Sequence, residues 1–163
     1  AVEDYDGPVA IRYPRGTEGS YKDSSWQGVN GRLVRCHREG KDAALITYGS
    51  TLDNTLAAAD QLKKQGIEAS VFRLLSVWPL PAEELAGCLG EIPQAVVIEE
   101  TASGSGIQES LGWALGELLP GCQIHGMDLG RDFVPHGSLK ELYRQCGLDS
   151  DSITAYVRKV LAR

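Results

Sequence analysis

Two rhythms alternate along most of the chain. Short apolar runs are followed by stretches in which apolar residues return at every third or fourth position, the spacing of one helix face. The runs Gly31–His37, Ala43–Tyr48, Ala69–Leu75, Ala95–Glu99 and Gln123–Leu129 read as strands. In the first, Leu33 and Arg35 fall on one face. Between the runs lie helical patterns: Leu52, Leu56, Ala59 and Leu62; then Ile107, Leu111, Leu115 and Leu118; then Leu139, Leu142 and Cys146. A final helix carries Ile153, Val157, Val160 and Leu161. Start and stop signals agree with this division. Ser50 with Asp53, Ser105 with Gln108, and Ser138 with Glu141 have capping-box spacing. Pro81 suits a first helical turn, with Glu83 and Glu84 where the helix dipole favours acids. Gly66 and Gly147 are helix stops. Strands alternating with helices predict an α/β fold, a mostly parallel sheet covered on both faces.

The beginning of the chain does not share this rhythm. Gly7–Gly16 reads as a short strand between Gly/Pro punctuation, and Gly19–Asn30 is polar, Gly/Ser-rich and aperiodic. The expected division is therefore residues 1–30, the end of a preceding domain plus a linker, and residues 31–163, one domain. The absence of an initiator Met suits a chain cut from something longer.

Composition narrows the function classes. The 163 residues carry a formal net charge of −6 with no Lys/Arg stripe beyond Lys63-Lys64, which argues against nucleic-acid binding. No apolar run approaches the roughly 20 residues of a membrane helix. Cys36, Cys88, Cys122 and Cys146 form no C-x-x-C pair and have no His at ligand spacing, which speaks against zinc. They read as reduced, mostly buried thiols of a cytoplasmic protein, although spacing alone leaves a disulfide pairing open.

In open α/β sheets ligands favour the carboxyl ends of the strands. Two glycine-bearing loops fall there, Tyr48–Thr51 and Glu99–Gly106. Neither completes a dinucleotide or phosphate-loop pattern: Glu109 stands where the third glycine of a fingerprint starting at Gly104 belongs. Tight turns and helix caps are the favoured reading. Glu99 and Glu100 are neighbours on a strand and point to opposite faces, so they suit solvation or a cap contact better than joint acid/base chemistry. His37, His125 and His136 lack a nucleophile motif; His136, in Phe133–Ser138, could order a turn or titrate near neutrality. Arg12 and Arg15 flank Tyr13-Pro14, where a guanidinium fork beside a rigid Pro could clamp phosphate or carboxylate, with a surface salt bridge as the competing reading.

Four segments carry a family resemblance. Asp6–Gly16, with Ile11-Arg-Tyr-Pro-Arg15, resembles the end of the pyrimidine-binding domain of 1-deoxy-D-xylulose-5-phosphate synthases. Ala44–Ser50, Val97–Glu100 with Gly104–Glu109, and Asp132–Gly137 with Cys146–Asp149 resemble the transketolase C-terminal domain that follows it, in the same order and at similar spacing. The resemblance implies a three-layer α/β domain around a five-stranded mixed sheet, four strands parallel and one antiparallel. It implies a thiamine-diphosphate enzyme that decarboxylates pyruvate and adds the enamine to glyceraldehyde 3-phosphate, for isoprenoid, thiamine and pyridoxal phosphate synthesis. In that family the catalytic histidines, the Mg²⁺ ligands and the activating Glu lie in two earlier domains. No catalytic, cofactor or metal residue is therefore expected in this chain. Thiamine diphosphate and Mg²⁺ belong to the full-length enzyme, a homodimer in which this domain packs against the thiamine-binding ones. One role carries over: Arg15 matches the Arg that grips the acceptor's phosphate.

Two departures keep relatives in play. Leu75 stands where the family has Arg four positions before Pro79, and the Glu99–Gly106 loop is shorter than the family's. A transketolase-like synthase, a split-subunit transketolase, or the partner-docking domain of a 2-oxoacid dehydrogenase thus remain alternatives to a structural and assembly domain that is inactive alone. A stand-alone nucleotide binder would need the missing glycine fingerprint.

Overall fold

The computed structural model describes residues 6–11 and 31–162. Five strands form one sheet: β1 (Val34–Arg38), β2 (Ala43–Thr47), β3 (Ala69–Leu74), β4 (Gln94–Ile98) and β5 (Gln123–Met127), in the order β1-β3-β2-β4-β5. β2 to β5 run parallel and β1 pairs antiparallel with β3. Helices α1 (Leu52–Lys64), α2 (Ala82–Leu89) and α3 (Gln108–Leu118) cross between the parallel strands, and α4 (Leu139–Cys146) and α5 (Ser150–Leu161) follow β5. The expected three-layer arrangement of four parallel strands and one antiparallel is the observed one.

Strand periodicity builds two cores. Ala43, Leu45, Val71, Val96 and Ile98 face α1 and α5, meeting Leu52, Ala59, Leu62, Ile153 and Val157. Ala44, Ile46, Phe72, Ala95 and Val97 face the other way, onto Leu85 and Leu89 of α2 and Leu111 and Leu115 of α3. The unbroken apolar strands in the sequence reflect burial on both sides.

Individual positions differ from expectation for identifiable reasons. In β1 the core residue is Val34, not Leu33 or Arg35, because the register Val34↔Leu74 turns Val34 onto the α2 side. Glu84 of α2 then accepts the Leu33 and Val34 N–H groups at 2.9 and 3.3 Å. Leu118 and Leu139 sit at helical spacing but are exposed; in α4 the buried side chain is Tyr143. None of the four cysteines is fully buried: Cys36 and Cys88 are exposed, Cys122 and Cys146 half-buried, and all are free thiols.

Of the three capping boxes, one forms. Ser138 and Glu141 bond reciprocally at the start of α4, and Gly147 ends that helix in the left-handed conformation at φ 74°. Asp149 caps α5 through the Ser152 N–H at 2.8 Å. Ser50 instead lies in a 3₁₀ turn (Gly49–Thr51), and α1 has no side-chain cap. Ser105 does not cap α3, whose first residue is Gln108.

Candidate functional site

The sheet reverses its winding between β2 and β4. The connection from β2 passes on the α1 side, and that from β4 on the α3 side. The carboxyl ends of these two strands bound the crevice where such folds bind ligands, and both glycine-bearing loops of the sequence open there.

The crevice is filled by the chain's own groups. Glu99 follows β4 and is only 2% exposed. Its carboxylate accepts the Tyr48 hydroxyl at 2.9 Å and the Ile107 and Gln108 N–H groups at 2.9 and 3.3 Å. This is the cap of α3, supplied by a residue from the preceding strand. Two of the N–H groups at that helix start are thereby used. Burial first, then the bond to Glu99, pushes the Tyr48 phenol above the ordinary tyrosine range. Gly106 is required here, since a Cβ would stand 2.1 Å from Glu99 Oε2.

Glu100, in the bend that follows β4, reaches the other way, toward α4. It is exposed, and its Oε2 accepts the Ser50 hydroxyl at 2.5 Å and the Tyr143 hydroxyl at 3.1 Å, tying the β2 loop and α4 to the β4 loop. Burial raises the Tyr143 phenol, with the Ser50 hydroxyl opposing and Glu100 adding to the rise. Beneath, Thr47 and Thr51 share a hydroxyl contact at 2.5 Å, and Thr47 donates to the Ile98 carbonyl at 3.1 Å. The β4 and β5 loops are joined by Leu129 N–H to Thr101 O and Ser103 N–H to Gly130 O, both 2.9 Å. Each glycine loop is thus a turn stitched by internal hydrogen bonds.

The other residues singled out in sequence do not converge. His37 is on edge strand β1, and His125 is on the opposite edge strand, with its Nε2 2.8 Å from Gln94 Oε1. His136 is exposed before α4. Among the described residues no three His, Cys, Asp or Glu side chains group so as to hold a metal ion. An open cleft of about 820 Å³ lies beside Tyr143, between α4 and the first turn of α5, with Lys140, Arg144, Asp149 and Asp151 among its lining residues. Arg12 and Arg15 lie outside the described residues. Sequence reasoning placed Tyr48 in a candidate loop but gave its hydroxyl no partner, and it missed Tyr143, whose only local signal was its position within a helix.

This fold, with its self-filled crevice, has known relatives. The family model for the transketolase C-terminal domain matches residues 33–153. The chain belongs to the transketolase C-terminal domain family. It is 32% identical to 1-deoxy-D-xylulose-5-phosphate synthase of Chlorobaculum tepidum over 158 residues, 96% of this chain and 25% of that protein. It is 34% identical to the synthase of the same name from Oleidesulfovibrio alaskensis over 165 residues, again 96% of this chain and 25% of that one. A solved structure described as a split gene transketolase, inactive beta4 tetramer, superposes with a TM-score of 0.69 at 26% identity, covering 79% of this chain and 42% of its own. This transketolase C-terminal domain spans about a quarter of the length of the curated relatives it matches.

Proposed function

We propose that this chain is the C-terminal part of a thiamine-diphosphate-dependent 1-deoxy-D-xylulose-5-phosphate synthase and acts there as a structural and assembly domain. The observation that carries the reading is the match to synthases across 96% of the chain. The filled crevice supports it: the position where an α/β sheet would hold a ligand is spent on joining loops and helices. Residues 1–30 are then the end of the pyrimidine-binding domain plus a linker, and 31–163 the transketolase C-terminal domain. The full-length cytoplasmic homodimer joins pyruvate to glyceraldehyde 3-phosphate, releasing CO₂, in isoprenoid synthesis. Thiamine diphosphate and Mg²⁺ fall to the preceding domains. Arg15 grips the acceptor phosphate, a task suited to a bidentate guanidinium.

The test is the full-length protein assayed with pyruvate and glyceraldehyde 3-phosphate. Arg15→Ala raises KM for the phosphorylated acceptor by roughly tenfold or more, the scale of a lost charge-assisted pair, and leaves KM for pyruvate unchanged. The 163-residue chain alone shows no turnover. Turnover by that chain, or an Arg15→Ala effect confined to pyruvate, refutes the assignment. The similarity to the split gene transketolase favours one other reading, a separately encoded transketolase subunit. The coding sequence upstream of Ala1 separates the two.

A further inference from the structure

The large apolar side chains left in solvent are unevenly placed. Trp78 is 88% exposed and Phe133 fully so, with exposed Val77 and Val134 next to them in sequence and exposed Leu139 at the start of α4. All five belong to the connections that leave the carboxyl ends of β3 and β5 or to the start of α4. The amino-end loops before β2 and β3 carry charge: Glu39, Lys41 and Asp42 before β2, and Glu68 before β3, with Lys41 paired to Glu68. The two most exposed large apolar side chains among the described residues, Phe133 and Trp78, thus both lie in connections at the carboxyl rim.

The entry point of the chain lies on the same carboxyl rim. β1 runs against the other four strands, so its first residues stand where theirs end. Leu75 N–H donates to Leu33 O at 2.8 Å, and Val34 pairs with Leu74. Polypeptide arriving at Gly31 therefore reaches the domain next to the loop that displays Trp78. That loop is closed by the Ser76 hydroxyl on Pro79 O at 3.1 Å. In the described segment before it, Asp6–Ile11, every residue is exposed, Val9 and Ile11 included.

The geometry points to the carboxyl rim, with Trp78 and Phe133 as anchors, as the face on which the preceding domain of the same polypeptide docks. Aromatic side chains are enriched at the centres of protein interfaces. The occupant is the preceding domain because the chain enters at this rim and the relatives are about four times as long. The inference rests on the proposal that this chain ends such a longer protein. It adds which surface is covered and by what.

Carbene footprinting of the full-length protein tests it, with Trp113 of α3, 72% exposed, as the internal reference. Rates are normalised to the guanidinium-unfolded protein. Trp78 and Phe133 label at least about tenfold more slowly than Trp113, as residues at a desolvated interface centre do, and the protection persists on dilution. Trp78→Asp, at an exposed position that does not enter the core, restores Phe133 labelling without lowering the melting temperature of the domain. Labelling of Trp78 as fast as Trp113 overturns the assignment. So does protection that disappears on dilution to monomer by light scattering, which identifies a second copy as the occupant. Protection at Trp78 in a protein that makes no 1-deoxyxylulose 5-phosphate rejects the proposed reaction and keeps the docking face. Synthase activity with Trp78 freely labelled does the reverse.

Discussion

Tyr48 and Glu99 stand 51 residues apart in sequence and close the crevice between β2 and β4 with one hydrogen bond of 2.9 Å. The same carboxylate accepts the first N–H groups of α3, so one buried charge holds two loops and a helix. Glu99→Gln replaces one accepting oxygen with an NH₂ group and leaves one of these donors without a partner. The expected loss is about 2–3 kcal/mol, against about 1 kcal/mol for Tyr48→Phe, because a stranded buried donor costs more than a removed one. Urea denaturation checks the order: the midpoint falls further for Glu99→Gln, with the slope m unchanged.

Alkaline pH acts on the same pair. The folded state holds the Tyr48 proton more tightly than the unfolded chain does, since burial and Glu99 both disfavour a phenolate. The contribution is whole below the unfolded tyrosine value of about 10 and is lost as pH rises toward the raised folded value. One group adds at most about 1.4 kcal/mol per pH unit to the slope, and a half-exposed phenol adds less because solvent screens it. Stability of the parent protein therefore falls more steeply between about pH 9 and 11.5 than that of Tyr48→Phe. Tyr143, also raised, keeps a residual slope in both. Parallel curves for parent and variant contradict this account.

Two glycines of neighbouring segments are expected to behave oppositely. A Cβ on Gly106 falls within 2.2 Å of both carboxylate oxygens and the Cδ of Glu99, a side chain pinned by three donors. Gly116 in α3 has nothing within 4 Å of the added atom. Gly106→Ala lowers stability by about 2 kcal/mol or more, as overpacking of a fixed group does. Gly116→Ala raises it by up to about 1 kcal/mol through helix propensity. Thermal melts of the two variants settle the contrast.

What sequence could and could not show follows from the range of each interaction. The strands were legible because both sheet faces are buried and the apolar runs are continuous, as in Ala43–Thr47. The Ser138–Glu141 box was legible because both partners lie within one turn. Ser50 and Ser105 carried the same local spacing, yet Ser50 bonds Glu100 and the α3 cap comes from Glu99. Nothing local distinguishes a serine that caps its own helix from one that reaches another loop. Glu99 and Glu100 do take different partners, but both lie past the end of β4, and the partners Tyr48 and Tyr143 depended on which loops the sheet order brings together. At the edge, β1 could not reveal its buried face, because the pattern Leu33-Val34-Arg35 fits either and the pairing with β3 decides.

The box at the start of α4 gives a local acid-sensitive element. Bonds from the Ser138 hydroxyl and then from its N–H hold the Glu141 carboxyl below the ordinary carboxylate range. Its folded affinity for a proton is the weaker one, so the contribution is present above the unfolded value of about 4.3 and disappears as pH falls through the lowered one. Helix α4 has only 8 residues, which leaves it dependent on its cap and its packing. Amide hydrogen exchange in its first turn therefore quickens in Ser138→Ala at neutral pH, and the parent reaches the same exchange on acidification. Helix α5, capped separately by Asp149, serves as the control and keeps its protection in Ser138→Ala at neutral pH. Unchanged exchange at the start of α4 in that variant means that packing of Tyr143, not the cap, holds the helix.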